Sequence, residues 1–191
     1  MTTEHATVAL VTDGKITGSC QLEFSRQQPW QITLTQHDGQ TEHAQADSLP
    51  EALAKIRTAL GTRGIDLACQ GCRSDVRPSQ MSIQSGGGRH SYVIRLGAST
   101  RREDIVDIFA PTDIKNIASV EQQALYAQKW LDSLQASDGE RAEARSHAGG
   151  WVYRIDGHVD PAGEVPPEAI IGAWKVDESG ELTGEFKRND A

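Results

Sequence analysis

Apolar and polar residues alternate with period two along the first quarter of the chain, the spacing of strands with one face in a core. Ala6–Val11 and Ile16–Phe24 are such runs, joined across Thr12-Asp13-Gly14-Lys15, and Asp-Gly between two strand-like runs marks a tight hairpin. Ile16, Gly18, Cys20, Leu22 and Phe24 share one face of the second run. Trp30–Thr35 alternates again, and a second Asp-Gly at Asp38-Gly39 turns it into Gln40–Ala46. The pattern predicts a four-stranded antiparallel meander whose buried face includes Trp30, Ile32 and Leu34.

The period then changes. Ser48-Leu49-Pro50-Glu51 has the form of a capping box with proline in the first turn. Leu49, Leu53, Ile56 and Leu60 follow on one helical face, with Lys55 and Arg57 expected outside and Gly61 and Gly64 ending the helix. Ile65–Cys69 is a short strand, Gln70–Ser91 a loop around a weak extended segment, and Tyr92–Leu96 and Asp104–Phe109 are further strands before the break at Pro111. An amphipathic helix begins at Thr112 or Ser119 and runs to about Leu134, with Val120, Ala124, Ala127 and Trp130 at helical spacing. The fold class is α+β: an antiparallel sheet packed by two helices.

Residues 1–136 are expected to form the main domain, and the polar run 137–150 a linker or an extension of the second helix. Residues 151–191 form a C-terminal module too short to fold easily alone, and therefore expected to dock on the main domain. In it Trp151–Asp156 is strand-like, Asp160-Pro161-Ala162-Gly163 a turn, Pro166–Ile171 a proline entry to one helical turn, and Ala173–Asp177 with Glu181–Phe186 a hairpin.

With 191 residues, 37% hydrophobic and 24% charged, the composition is that of a globular protein with a real core. No apolar run approaches the roughly 20 residues that cross a bilayer, and the N-terminus lacks the basic start and apolar stretch of a signal peptide. Three cysteines argue against a disulfide framework and fit a reducing compartment, so a cytoplasmic location is expected. The net charge of −8 is uneven: residues 1–102 carry +2 and residues 103–191 carry −10. The acidity of that half disfavours nucleic acid as its partner and favours a basic protein; the plainer alternative is that it only keeps the protein soluble, and no membrane partner is expected.

Two chemistries concentrate in Cys69–Gly97. Cys69-x-x-Cys72 has the spacing of a metal or redox pair, but zinc needs further ligands that Cys20 and His90 do not supply at sensible spacing, and a strand end is not the helix N-terminus that activates such thiols. Two reduced structural cysteines are the simpler expectation. Gly86-Gly87-Gly88 with Arg89 and His90, near Arg73 and Arg77, form a candidate cradle for an anion or nucleotide, since glycine lets backbone N–H groups converge. The plainer alternatives are a hairpin tip, and pairing of Asp75 with Arg73 and Arg77 to hold the turn before Pro78. Asp156-Gly157-His158-Val159-Asp160 lacks calcium-loop spacing and is expected to be a surface turn. No phosphate-binding loop, nucleophile elbow or His-Glu-x-x-His motif occurs, which argues against an enzyme. No cofactor and no metal are expected.

The segment Leu67–Ser79, with Met81, the glycine triplet, Tyr92–Gly97 and Ile105–Phe109, resembles a group of uncharacterised bacterial proteins, a likeness that implies no activity. Val165-Pro166-Pro167-Glu168-Ala169-Ile170-Ile171-Gly172-Ala173-Trp174-Lys175-Val176-Asp177, followed by Gly180 and Gly184, resembles a C-terminal module of bacterial secretion-associated and polymorphic-toxin immunity-type proteins. This resemblance implies a bacterial, cytoplasmic, non-catalytic binding protein with a cognate toxin as its partner, and a secretion-linked adaptor as the alternative. The acidic half supplies the candidate partner-facing residues Asp104, Asp107, Asp113, Asp156 and Asp160; Trp174, with Trp151, Tyr153, Ile170 and Ile171, is expected to pack the tail on the main domain or, in part, to anchor a partner.

Overall fold

A computed structural model describes residues 2–96, 99–155 and 165–189. The chain divides into two compact units, Met1–Ile94 with Thr100–Ala127, and Arg95–Ser99 with Gln128–Ala191.

The first unit is built on the expected meander. Strands β1 (Thr3–Thr12), β2 (Lys15–Ser25), β3 (Trp30–Gln36) and β4 (Thr41–Ala46) are joined by β5 (Ile65–Ala68), and the sheet order is β4-β3-β2-β1-β5 with every pair antiparallel. The registers Val8↔Cys20, Leu22↔Leu34 and Phe24↔Ile32 bring the apolar residues to one face. Helix α1 (Leu49–Gly61) covers that face through Leu49, Ala52, Leu53, Ile56 and Leu60, each at most 1% exposed. Burial of this kind contributes roughly 1.5–3 kcal/mol per large aliphatic side chain.

Ile16 departs from the expected buried face and is 62% exposed. Pairing between β2 and β3 begins only at Cys20↔Gln36, so the start of β2 extends beyond β3 with nothing over it. Ser48 Oγ accepts the Glu51 N–H at 3.3 Å, as a cap should, but the Glu51 carboxylate lies 3.5 Å from Lys55 Nζ instead of completing a capping box.

The stretch expected as one long loop is more ordered than its polarity suggests. A 3₁₀ turn at Gln70–Cys72 leads to β6 (Val76–Arg77), helix α2 (Gln80–Gly86) and β7 (His90–Val93), and β6 and β7 form a small sheet with β8 (Ile105–Asp107) in the order β6-β7-β8. Ile108 and Phe109 then enter the main core, with the Phe109 ring 4.3 Å from that of Phe24. Helix α3 (Val120–Ser133) follows close to its expected bounds.

In the second unit the run expected as a linker contains helix α4 (Asp138–Ala144). Ser137 and Glu140 form the reciprocal capping box that gives this short polar helix its start. The expected hairpin is the β10 (Ile170–Val176) and β11 (Leu182–Arg188) pair, and β9 (Trp151–Ile155) adds a third antiparallel strand, in the order β11-β10-β9. Ala144, Val152 and Val176 are its buried cluster, with Leu182 against them. The turn expected at 160–163 lies outside the described residues. No described helix is long and apolar enough to cross a membrane.

Candidate functional site

The glycine triplet closes a helix. Gly87, at φ +62°, is the left-handed cap of α2: its N–H bonds Ile83 O at 2.9 Å, that of Gly88 bonds Ser82 O at 2.9 Å, and that of Arg89 bonds Gly86 O at 3.2 Å. The Gly87 and Gly88 amides expected to help cradle an anion, and that of Arg89 beside them, are thus spent on helix-end carbonyls. Gly87 also lies on the Trp30 ring, where a Cβ would come within 2.5 Å of Cδ2, and its carbonyl accepts the Leu49 N–H at 2.7 Å. The triplet fastens α2 to β3 and to the start of α1.

The arginines are divided among internal partners. Arg73 is bidentate to Asp75 at 2.7 and 2.6 Å and donates to Gln70 Oε1, which holds the turn as the plainer alternative anticipates, without Arg77. Arg89 bonds both Asp107 and Glu4, and its guanidinium carbon lies 5.0 Å from the centre of the Phe24 ring. That contact with Arg89 holds the Glu4 carboxyl below its usual value. His90 is exposed at the start of β7. Of the three loop arginines, Arg77 is the one with no ion pair among the described residues, and it lines a cavity of about 180 Å³ with Ser91, Gln123 and Ile108.

The expected acidic surface is also largely committed. Asp104 is 5% exposed and accepts the Arg101 N–H at 2.8 Å, while Asp107 holds Arg89 and accepts the Phe109 N–H at 3.0 Å. Asp113 is exposed, 3.6 Å from Lys115. Trp174 is 5% exposed, so as an anchor it serves the second unit's own interior. Asp156 and Asp160 lie outside the described residues. The charge divides less sharply by unit than along the sequence: the first holds eleven basic and fourteen acidic residues, −3, and the second eight and thirteen, −5.

A buried polar network lies behind the 69–72 turn. Arg57, expected on the outer face of α1, is only 5% exposed. It binds Asp66 through two bonds of 2.8 and 2.9 Å, Gln123 Oε1 at 2.7 Å, and the Ala118 carbonyl. Gln123 Nε2 in turn reaches Gly71 O and Arg73 O at 2.8 and 2.7 Å. Cys69 and Cys72 are fully buried beside it, with sulfurs 3.3 Å apart. The hydrogen bond between the two thiols, together with burial, holds the Cys69 thiol well above its ordinary value. Burial pushes Cys72 upward too, but the Cys69 bond and the positive Arg57 outweigh it and bring Cys72 down. Among the described residues no three His, Cys, Asp or Glu side chains converge as metal ligands.

The second unit carries a larger surface feature. Arg154 and Glu140 form a pair with bonds of 2.7 Å, their side chains 12% and 10% exposed. Arg154 also donates to the carbonyls of Ser133 and Gln135 and lies 5.4 Å from the ring centres of both Trp174 and Phe186, while Trp174 Nε1 donates to Glu140 Oε1 at 3.2 Å. Beside this pair runs an open groove of about 660 Å³, lined by Lys129, Gln135, Tyr153, Ile155 and Ile171 among others. Tyr153 and Ile155 point to the same side of β9 and are 55% and 39% exposed. That β9 is a strand was legible in the sequence; which of its faces lacks cover was not.

No known family model matches the chain, and no curated protein matches it in sequence.

Proposed function

We propose that the chain is a bacterial cytoplasmic protein-binding module of the immunity type, which captures a basic protein partner along the β9 groove of its second unit. The observation that carries this reading is the exposure of Tyr153 and Ile155, 55% and 39%, on one side of a strand that borders an open groove. A tyrosine and an aliphatic residue displayed together make an interface centre, because both release apolar surface from water on contact. The Arg154 and Glu140 pair behind them is satisfied internally and fixes the floor of the groove. Exposed Glu143, Asp177, Glu178, Glu181 and Glu185 belong to the same unit, whose charge of −5 attracts a basic partner and raises its rate of encounter. The anion-binding alternative retains Arg77, the loop arginine with no ion pair among the described residues.

The test is co-expression with the product of the adjacent gene. A stable complex and relief of that product's toxicity are expected, with binding weakened at least about tenfold by Tyr153→Ala combined with Ile155→Ser. Failure of the unaltered protein to bind or protect removes the immunity reading; binding unchanged by the double variant removes the groove. Phosphate or nucleotide binding that is lost in Arg77→Ala would favour the alternative.

A further inference from the structure

The thiols of Cys69 and Cys72 have no part in that binding surface. We propose that they form a reversible disulfide, which makes the 69–72 turn a peroxide-sensitive modification site in the core of the first unit.

The geometry is already close to the product. The sulfurs are 3.3 Å apart, and a disulfide bond of about 2.05 Å requires them to approach by little more than 1 Å. The backbone holds them in this position from several directions. Gln70 N–H bonds Ala110 O and Gly71 N–H bonds Ile108 O, both at 2.8 Å, while Cys72 N–H bonds Cys69 O and Cys72 O accepts the Ala118 N–H, both at 2.9 Å. The two thiols therefore cannot drift out of reach while the turn is intact. Cys20 in the same core provides the contrast: its thiol makes only a 3.5 Å contact with Val8 O, and burial pushes it up to about 11.

Either thiol can donate the hydrogen bond between them and both feel the Arg57 charge, so their roles can exchange; in one order the nucleophile is Cys72. Its thiolate attacks one peroxide oxygen; the O–O bond breaks, and the departing hydroxide takes up a proton to become water. The Cys69 sulfur then attacks the resulting Cys72 sulfenic acid, the S–S bond forms as the S–O bond breaks, and the hydroxyl leaves as a second water with the Cys69 proton. In sum, two thiols and one hydrogen peroxide give a disulfide and two waters. Gly71, between the two cysteines, is in the wall of a cavity of about 180 Å³ that neither cysteine lines, so peroxide meets the sulfurs in local openings of the turn. Thiol reductants reverse the reaction, and the dithiol is the resting form in a reducing cytoplasm.

The experiment uses the full chain, reduced, freed of reductant, treated with hydrogen peroxide in its native state and then denatured in N-ethylmaleimide. Intact mass is expected to show one label instead of three, on Cys20, and the loss of two hydrogens. A digest should join Cys69 to Cys72 within one chain, and dithiothreitol should restore three labels. Cys20→Ser is expected to leave the pair's oxidation unchanged. Three labels after peroxide, oxygen added at Cys69 or Cys72 without a link between them, or a link that forms only in denaturant would each overturn the proposal. The measurement needs no variant at the pair itself, so a folding defect cannot obscure it.

Discussion

Arg57→Ala is the sharpest probe of what holds the first unit together. The substitution deletes two bonds to Asp66, one to Gln123 and one to the Ala118 carbonyl, all made by a guanidinium that is nearly sealed from water. Breaking a buried ion pair from one side costs about 3–5 kcal/mol, because the partner keeps its desolvation penalty without its counter-charge. The Asp66 side chain is 35% exposed, so water recovers part of that loss. The Ala118 carbonyl, on a residue only 8% exposed, recovers little, and an orphaned buried acceptor costs about 1–3 kcal/mol. A net loss of about 3 kcal/mol follows. With a urea slope of about 2 kcal/mol/M, the midpoint should fall by about 1.5 M at unchanged slope, read by far-ultraviolet circular dichroism. Arg57→Met keeps the aliphatic stem and tests the polar part separately; it should retain most of the loss. A fall in midpoint of less than about 0.5 M for Arg57→Ala would refute the network as a stabilising element, and full recovery in Arg57→Met would assign the effect to packing.

Two further expectations rest on single residues. Gly87→Ala places a Cβ within 2.5 Å of the Trp30 ring at φ +62°; backbone strain of about 1 kcal/mol and overpacking of about 1–3 kcal/mol should lower stability by about 3 kcal/mol in thermal unfolding, and a loss under about 1 kcal/mol would contradict the contact. Glu140 is pushed up by burial but held, on balance, below its ordinary 4.5 by Arg154 and the Ser137 N–H, so its contribution is complete above that value and declines as pH falls through the lower folded one. Stability of the second unit measured against pH should therefore drop below about pH 4.5, and Glu140→Gln should flatten that drop; an unchanged slope would remove Glu140 as its source.

The meander was legible because two Asp-Gly turns and period-two runs agree on one register, and α1 because its leucines keep helical spacing behind a serine cap. Helix α2 was not legible, since none of its seven residues is buried and no apolar period marks it. Its signals were terminal ones, Ser79 before it and Gly87 after. Helix α4 carried the same Ser-x-x-Glu pattern as the start of α1, hidden in a polar run with little apolar content. The misplacement of Arg57 has a plain cause: position 57 is four residues after Leu53 and three before Leu60, on the flank of the apolar stripe, where a long side chain is covered if a partner such as Asp66 waits inside. Charge summed along the chain could not show that Asp104 is spent within its own turn, on the Arg101 N–H three residues back, or that Asp107 is held by Arg89 from another strand.

The contact between Gly87 and Trp30 has a magnetic side as well as a steric one. Because a Cβ in that position would sit 2.5–2.7 Å from Cδ2, Cε3 and Cε2, the α-hydrogen that occupies it points at the face of the indole's six-membered ring. That proton lies in the shielding cone of the ring current, while its geminal partner points elsewhere. The two α-protons of a single glycine thus differ widely in resonance, a built-in marker of whether the end of α2 is seated on the sheet.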